Sequence, residues 1–220
     1  MLKNSSFKFL AKLAKNNTRE WVNQHNADYR DCLEDFTAFN QGLIDAISTF
    51  DKSIAQSNLK AKDCIPRLNR DLRFAKDKSP YKTYYYSIIN EGGRKSGKAG
   101  YFIVLNPGEC YIGAGAFQPE PERLKKIRQE IDYNFEEWKK IVGDKELLNA
   151  FPNGIIAQER LQKVPKDFDA DSPAKEFLKM KGFFVQKHYP DEFFRGKNNF
   201  ETILKSFKAC QQLNCFVNAI

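Results

Sequence analysis

The chain has 220 residues, a formal net charge of +8, 41% hydrophobic residues and 19 Phe against two Met. That length suits one large domain, and the apolar content is too high for a disordered chain, so a ring-rich folded core is expected over residues 1–220 as a single domain. Five cysteines without C-x-x-C spacing and two distant histidines, His25 and His188, argue against a Cys/His zinc site and for a reducing, cytoplasmic compartment. The absence of any run of about 18 apolar residues excludes a transmembrane helix.

The first 19 residues carry Lys3, Lys8, Lys12, Lys15 and Arg19 and no acid, in the manner of a transit peptide. Phe7, Leu10, Ala11 and Ala14, however, form an i, i+3, i+4, i+7 stripe, which predicts a short docked helix. Thr18 can cap a turn through Trp21, and Phe36, Phe39, Leu43, Ile44 and Ile47 keep helical spacing over a longer element.

After Cys64 the period changes. Lys82 to Ile89, Tyr101 to Leu105 and Tyr111 to Phe117 read as strands, the last two joined by the tight turn Asn106-Pro107-Gly108-Glu109 and therefore antiparallel. Pro119 opens a helix with Leu124, Ile127 and Ile131 on its apolar stripe, and a shorter one carries Trp138, Ile141 and Val142. Ile155 to Val164 is expected to return to the sheet, Pro173 to start a helix that Gly182 ends, and Phe183 to Gln186 to add a strand. A C-terminal helix over about 199–217 holds Cys210 and Cys215, read as small buried thiols. Strands gathered between helical ends give an α+β fold, a central and mostly antiparallel sheet flanked by helices from both ends of the chain.

Two phosphate-binding signatures fail on inspection. Gly92 to Lys98 satisfies G-x-x-x-x-G-K, but the next residue is Ala99, without a hydroxyl for magnesium, and the segment joins two strands. It reads as a basic hairpin tip whose Arg94, Lys95 and Lys98 can touch an anion. Gly113 and Gly115 lack the third glycine of a dinucleotide fingerprint, Gln118 standing in its place, and read as points of close backbone approach. There is no G-x-S-x-G elbow for serine catalysis, and no cofactor or metal is predicted.

One segment stands out, Arg67 to Lys82, whose sixteen residues hold six basic and two acidic side chains and so half of the net charge of +8. An extended strand through it would put Arg67, Asn69, Asp71 and Arg73 on one face and Leu68, Arg70, Leu72 and Phe74 on the other. Arginines beside an acid suit bidentate recognition of phosphate or carboxylate, and the same residues equally suit an ion-pair network that fixes the fold. The candidate anion-binding residues are Arg70, Arg73, Lys76, Lys78, Tyr81 and Lys82, with Asp71 and Asp77 as orienting carboxylates. The ligand expected is a phosphate-bearing metabolite or nucleic acid. An enzyme acting on a phosphorylated substrate, with Asp71 or Asp77 as acid/base or metal ligand, is the alternative, and a protein-interaction module with a structural charge network is a third.

The same stretch, R-D-x-R-F-x-K-D-K-x-P-Y-K-T from Arg70 to Thr83, resembles the hallmark of the family called domain of unknown function 2461. The resemblance continues through Asn17, Arg19, Glu20 and Trp21, through Tyr101 to Glu109, and through Gly113, Gly115, Pro119, Ile127, Arg128, Leu161, Pro165, Phe168, Asp169 and Pro173 to Lys181, about residues 7 to 188 in all. Ala75 stands where that family usually has Ser, and Asp167 where Gly is common. The resemblance implies kinship and carries no activity, cofactor or partner to this chain.

Overall fold

The computed structural model describes residues 1–196 and 199–220. Apolar residues three and four apart make its first third helical: α1 (Asn4–Lys15), α2 (Arg19–Gln24), α3 (Asn26–Ile47), α4 (Lys52–Gln56) and α5 (Ala61–Cys64). α1 is docked as expected, but its buried face is Ser6, Phe7, Phe9, Leu10 and Leu13, whereas Ala11 and Ala14 face solvent. The larger side chains win the interior because they bury more apolar area than alanine. The acid missing from the first 19 residues comes from α3. Asp35, buried, accepts hydrogen bonds from the Lys3 backbone N–H (2.8 Å) and the Ser6 hydroxyl (2.5 Å), and so satisfies donors at the α1 N-terminus. Thr18 caps α2 by accepting from the Trp21 N–H at 3.2 Å.

Four strands follow, β1 (Tyr85–Ile89), β2 (Gly100–Leu105), β3 (Tyr111–Ala116) and β4 (Phe183–His188), forming one antiparallel sheet in the order β1-β2-β3-β4. Between β3 and β4 lie α6 (Pro121–Tyr133), α7 (Phe135–Val142), α8 (Lys145–Ala150) and α9 (Lys175–Leu178); after β4 come α10 (Asp191–Arg195), α11 (Asn199–Ala209) and α12 (Gln211–Asn218). The fold is α+β, as the clustering of strands implied.

Several expectations need correction, among them the helix expected from Pro173 to Gly182, which is only the short α9 with Ala174 as its N-cap. α6 starts at Pro121 rather than Pro119, with Glu120 as its N-cap. Ile155 to Val164 makes two isolated bridges, Ile156 to Phe184 and Arg160 to Met180, rather than a strand. The C-terminal helix is broken at Cys210 into α11 and α12, and Cys215 is exposed while Cys210 is buried.

The chain divides into two compact units, Met1–Arg94 with Phe102–Ile112 and His188–Leu204, and Lys95–Tyr101 with Gly113–Lys187 and Lys205–Ile220. In the first, α3 is the central helix, with Phe36, Leu43 and Ile47 fully buried, and Phe36 stacks on Tyr85 at 5.4 Å between centroids. In the second, Trp138 is fully buried among Phe177, Phe183 and Phe216, at 5.5, 5.8 and 5.2 Å. Tyr101 there packs on Phe207 at 5.1 Å. These ring clusters account for the high Phe count, since each ring buries a large apolar area with few torsions to freeze.

Candidate functional site

The Arg67–Lys82 segment leaves the core through Cys64, Ile65 and Leu68, all buried, and re-enters it at the start of β1. It does not form the extended strand expected. A single antiparallel bridge, Asn69 to Tyr81, closes its neck, with Arg70 N–H donating to Pro80 O and Lys82 N–H to Leu68 O, both at 2.9 Å. Asn17, just beyond α1, completes the neck. Its side-chain amide donates to Tyr81 O (2.8 Å) and accepts from Tyr81 N–H (3.1 Å), in place of a further strand. The strand predicted from Lys82 accordingly begins only at Tyr85.

Beyond the neck, the two acids set the path. Asp71 accepts from the Arg73 backbone N–H (3.2 Å) and Asp77 from the Ser79 backbone N–H (2.9 Å), each a local turn that competes with an extended ladder. Ser79 precedes Pro80, which also disfavours helix there. Each acid further binds an arginine. Asp71 takes Arg73 through Nε (3.1 Å) and Nη2 (2.7 Å), and Asp77 takes Arg70 through Nη1. The Arg70–Asp77 pair ties one limb of the loop to the other, as does Lys78, whose Nζ donates to Leu72 O at 3.1 Å. Replacing Asp77 by Asn is expected to open the loop without unfolding the protein: tryptic cleavage after Arg73 and Lys76 should accelerate severalfold while the melting temperature moves by no more than about two degrees, since exposed ion pairs contribute little to global stability.

Phe74, placed by strand alternation on the face of Leu68, is instead 96% exposed, while Leu68 is 1% exposed. The alternation fails because the Asp71 turn reverses the chain before Phe74 is reached.

The charges divide into two groups. Asp71 and Asp77 are both held below the usual carboxylate range, Asp71 by the Arg73 guanidinium and the Arg73 N–H, Asp77 by the Ser79 hydroxyl and N–H and then by Arg70. They stay ionised near neutrality and are already engaged. At the neck, by contrast, cations gather. Lys82 Nζ donates to Arg67 O (2.9 Å) and Asn69 O (3.3 Å), and its pKa is lowered by burial and then by the Arg67 and Arg70 charges. Neither Arg67 nor Lys82 forms an ion pair among the described residues, and Lys76 forms none either.

A shallow cleft of about 720 Å³ lies elsewhere, lined by Lys126, Glu130, Asp132, Tyr133, Asp167 and Ile220 among others. Its carboxylates are engaged: Asp132 by the Ser172 hydroxyl, Glu130 by Asn134 and Asp167 by Lys125. Neither Asp71 nor Asp77 lines it. Among the described residues, no group of three or more His, Cys, Asp or Glu is placed to hold a metal ion, and no helix is long and apolar enough to cross a membrane.

Fold and site together define an α+β protein that carries a basic, turn-rich loop clamped at its neck beside an edge strand. A family model described as "Conserved hypothetical protein (DUF2461)" matches residues 5–216, and the chain belongs to that family. The match runs past the region of resemblance noted in the sequence and takes in most of α12. No curated protein and no solved structure matches the chain.

Proposed function

We propose that the Arg67–Lys82 loop binds an anionic ligand carrying phosphate, a metabolite or a nucleic acid. The observation that carries this reading is the neck, where Lys82 Nζ donates to Arg67 O (2.9 Å) and Asn69 O (3.3 Å) and its charge is disfavoured by burial and then by Arg67 and Arg70. Gathering like charges costs free energy, and a bound phosphate relieves that cost. Arg70, already fixed by Asp77, presents its remaining guanidinium donors without further loss of side-chain freedom. Lys76 and Lys78 extend the positive surface along the loop, and Tyr81 at the neck, half-buried, offers a hydroxyl or a ring face.

The Asp71–Arg73 pair favours a structural role for those two residues, so Arg73 is given a smaller share in binding than Arg70. Two strong, exposed and already paired acids make poor general acids near neutral pH, which sets the enzyme alternative behind the binding one.

The test is binding of fluorescent single- and double-stranded oligonucleotides across a salt titration, with inorganic polyphosphate as a competitor. Log affinity should fall with log salt at about −0.7 to −0.9 per phosphate contacted. Absence of binding to every one of these polyanions at low salt would refute the reading.

A further inference from the structure

Strand alternation sends Tyr85, Ser87 and Ile89 to one side of β1, where all three are buried and Tyr85 stacks on Phe36 of α3. Tyr84, Tyr86 and Ile88 therefore face the other side, where Tyr86 and Ile88 are half-buried and Tyr84 is 36% exposed. Aromatic rings continue on that side across the sheet. Tyr84 and Tyr86 lie 6.1 Å apart, Phe102 of β2 and Tyr111 of β3 6.3 Å apart, and Tyr111 and His188 of β4 5.0 Å apart. On β2 and β3 the fully buried Tyr101, Ile103, Leu105, Ile112 and Ala114 alternate with Phe102, Val104 and Tyr111, so the last three share the side of the sheet opposite the core, as Tyr84 and Tyr86 do. His188 is exposed and Tyr111 half-exposed.

Cations stand at both ends of β1. Before it comes the neck cluster of Arg67, Arg70 and Lys82. After it, in a 3-10 turn (Gly93–Lys95), Arg94 donates to the carbonyls of Lys62 (2.8 Å) and Asp63 (2.7 Å), which fixes its guanidinium close enough to act on the Tyr86 phenol.

We infer that this sheet face is a stacking platform for the bases of single-stranded nucleic acid, with the backbone phosphates held by the cations that flank β1. Half-exposed rings on a sheet offer flat faces to unpaired bases, and every base has a face to stack, whatever the sequence. A duplex hides those faces inside its own stack. From β1 to β4 the rings cross three strand spacings, roughly 14 Å, room for more than one base. A lipid surface is the poorer fit, because Phe102 is buried and the accessible rings, Tyr84, Tyr86, Tyr111 and His188, all bear a hydroxyl or ring nitrogens and offer little apolar area to a bilayer. The inference rests on the anion-binding reading of the loop and adds to it the class of ligand and the contribution of the sheet.

The experiment compares three ligands by fluorescence anisotropy and competition: a short labelled oligothymidylate, the same strand annealed to its complement, and inorganic polyphosphate, which has phosphates and no bases. The single strand should bind about tenfold or more tighter than the duplex. Tyr84→Ala should weaken single-strand binding roughly five- to tenfold with the salt slope unchanged, and Tyr84→Phe, which keeps the ring, should retain it. His188→Ala, at an exposed position at the end of β4, provides a second variant. If polyphosphate competes as well as the single strand and both Ala variants bind normally, the platform is wrong and the anion site stands. If none of the three ligands binds, both readings fall.

Discussion

Replacing Arg67 and Lys82 together by Ala should flatten the salt dependence of oligonucleotide binding by about two and weaken it roughly tenfold for each lost contact near 50 mM salt. Neither side chain forms an ion pair among the described residues, so their removal leaves no carboxylate unmatched. Lys82 does brace the neck through two carbonyls, but the backbone bonds from Arg70 to Pro80 and from Lys82 to Leu68 remain, and Asn17 still clamps Tyr81. The protein should therefore stay folded. Replacing Asp71 and Arg73 together should alter the slope far less. Equal loss in the two double variants would indicate a diffuse basic surface rather than a site at the neck.

The same site predicts a proton linkage. In the free protein the Lys82 ammonium titrates below the ordinary lysine value of 10.5 because burial and two arginines disfavour its charge. A bound anion favours that charge and moves the titration back up. Between the two positions, in the alkaline range just below the ordinary value, binding must take up protons, so affinity falls as pH rises through it. Without ligand the sign for stability is opposite: a lysine depressed in the folded state leaves the unfolded chain binding more protons in that window, and this group's contribution to stability rises with pH. Calorimetry in buffers of differing ionisation enthalpy should register the uptake in the wild type and lose it in Lys82→Met.

Much of this was legible in the sequence for definite reasons. Phe36, Phe39, Leu43, Ile44 and Ile47 specify α3 because five large residues at one spacing leave no alternative face, and all five are buried. The strands Tyr101 to Leu105 and Phe183 to Gln186 lie within β2 and β4 for a similar reason, dense β-branched and aromatic runs bounded by Gly or Pro. The register of α1 was harder, since Ala11 and Ala14 fit the period as well as Phe9 and Leu13 do and only side-chain volume separates them. The loop was legible as charge and not as geometry. Alternation of polar and apolar residues from Arg67 to Phe74 has the period of a strand, but Asp71 and Asp77 bind backbone N–H groups two residues on, and such local bonds override a weak periodic signal. Asn17 was marked as part of the family pattern, yet its role depends on a partner 64 residues away. The alternation of Tyr84 and Tyr86 against Tyr85 was visible as a strand signal. Which side is covered depends on α3 packing from elsewhere in the chain.

Gly115→Ala should be the most damaging single methyl in the chain, costing about 3 kcal/mol or more and lowering the melting temperature by roughly 6–12 °C. Gly115 has φ +116°, a conformation that a Cβ disfavours, and an added Cβ would lie 2.3 Å from Phe183 O and 2.7 Å from Phe184 Cα. Those neighbours are backbone atoms of β4, so relief requires moving the strand rather than turning a side chain. Moving it is costly in turn, because Phe183 packs edge-on against the buried Trp138 and Phe184 against Phe117 at 4.8 Å. Gly182 repeats the constraint from the opposite strand, where a Cβ would lie 2.3 Å from Phe117 O. The close approach of backbone to backbone expected of this glycine-rich stretch is thus made at Gly115. Gly108→Ala separates steric clash from backbone strain: Gly108 has φ +85° with nothing within 4 Å of a Cβ, so it should cost only about 1 kcal/mol. Equal losses at the two positions in thermal unfolding would mean that conformation alone, and not the β3–β4 contact, sets the requirement for glycine.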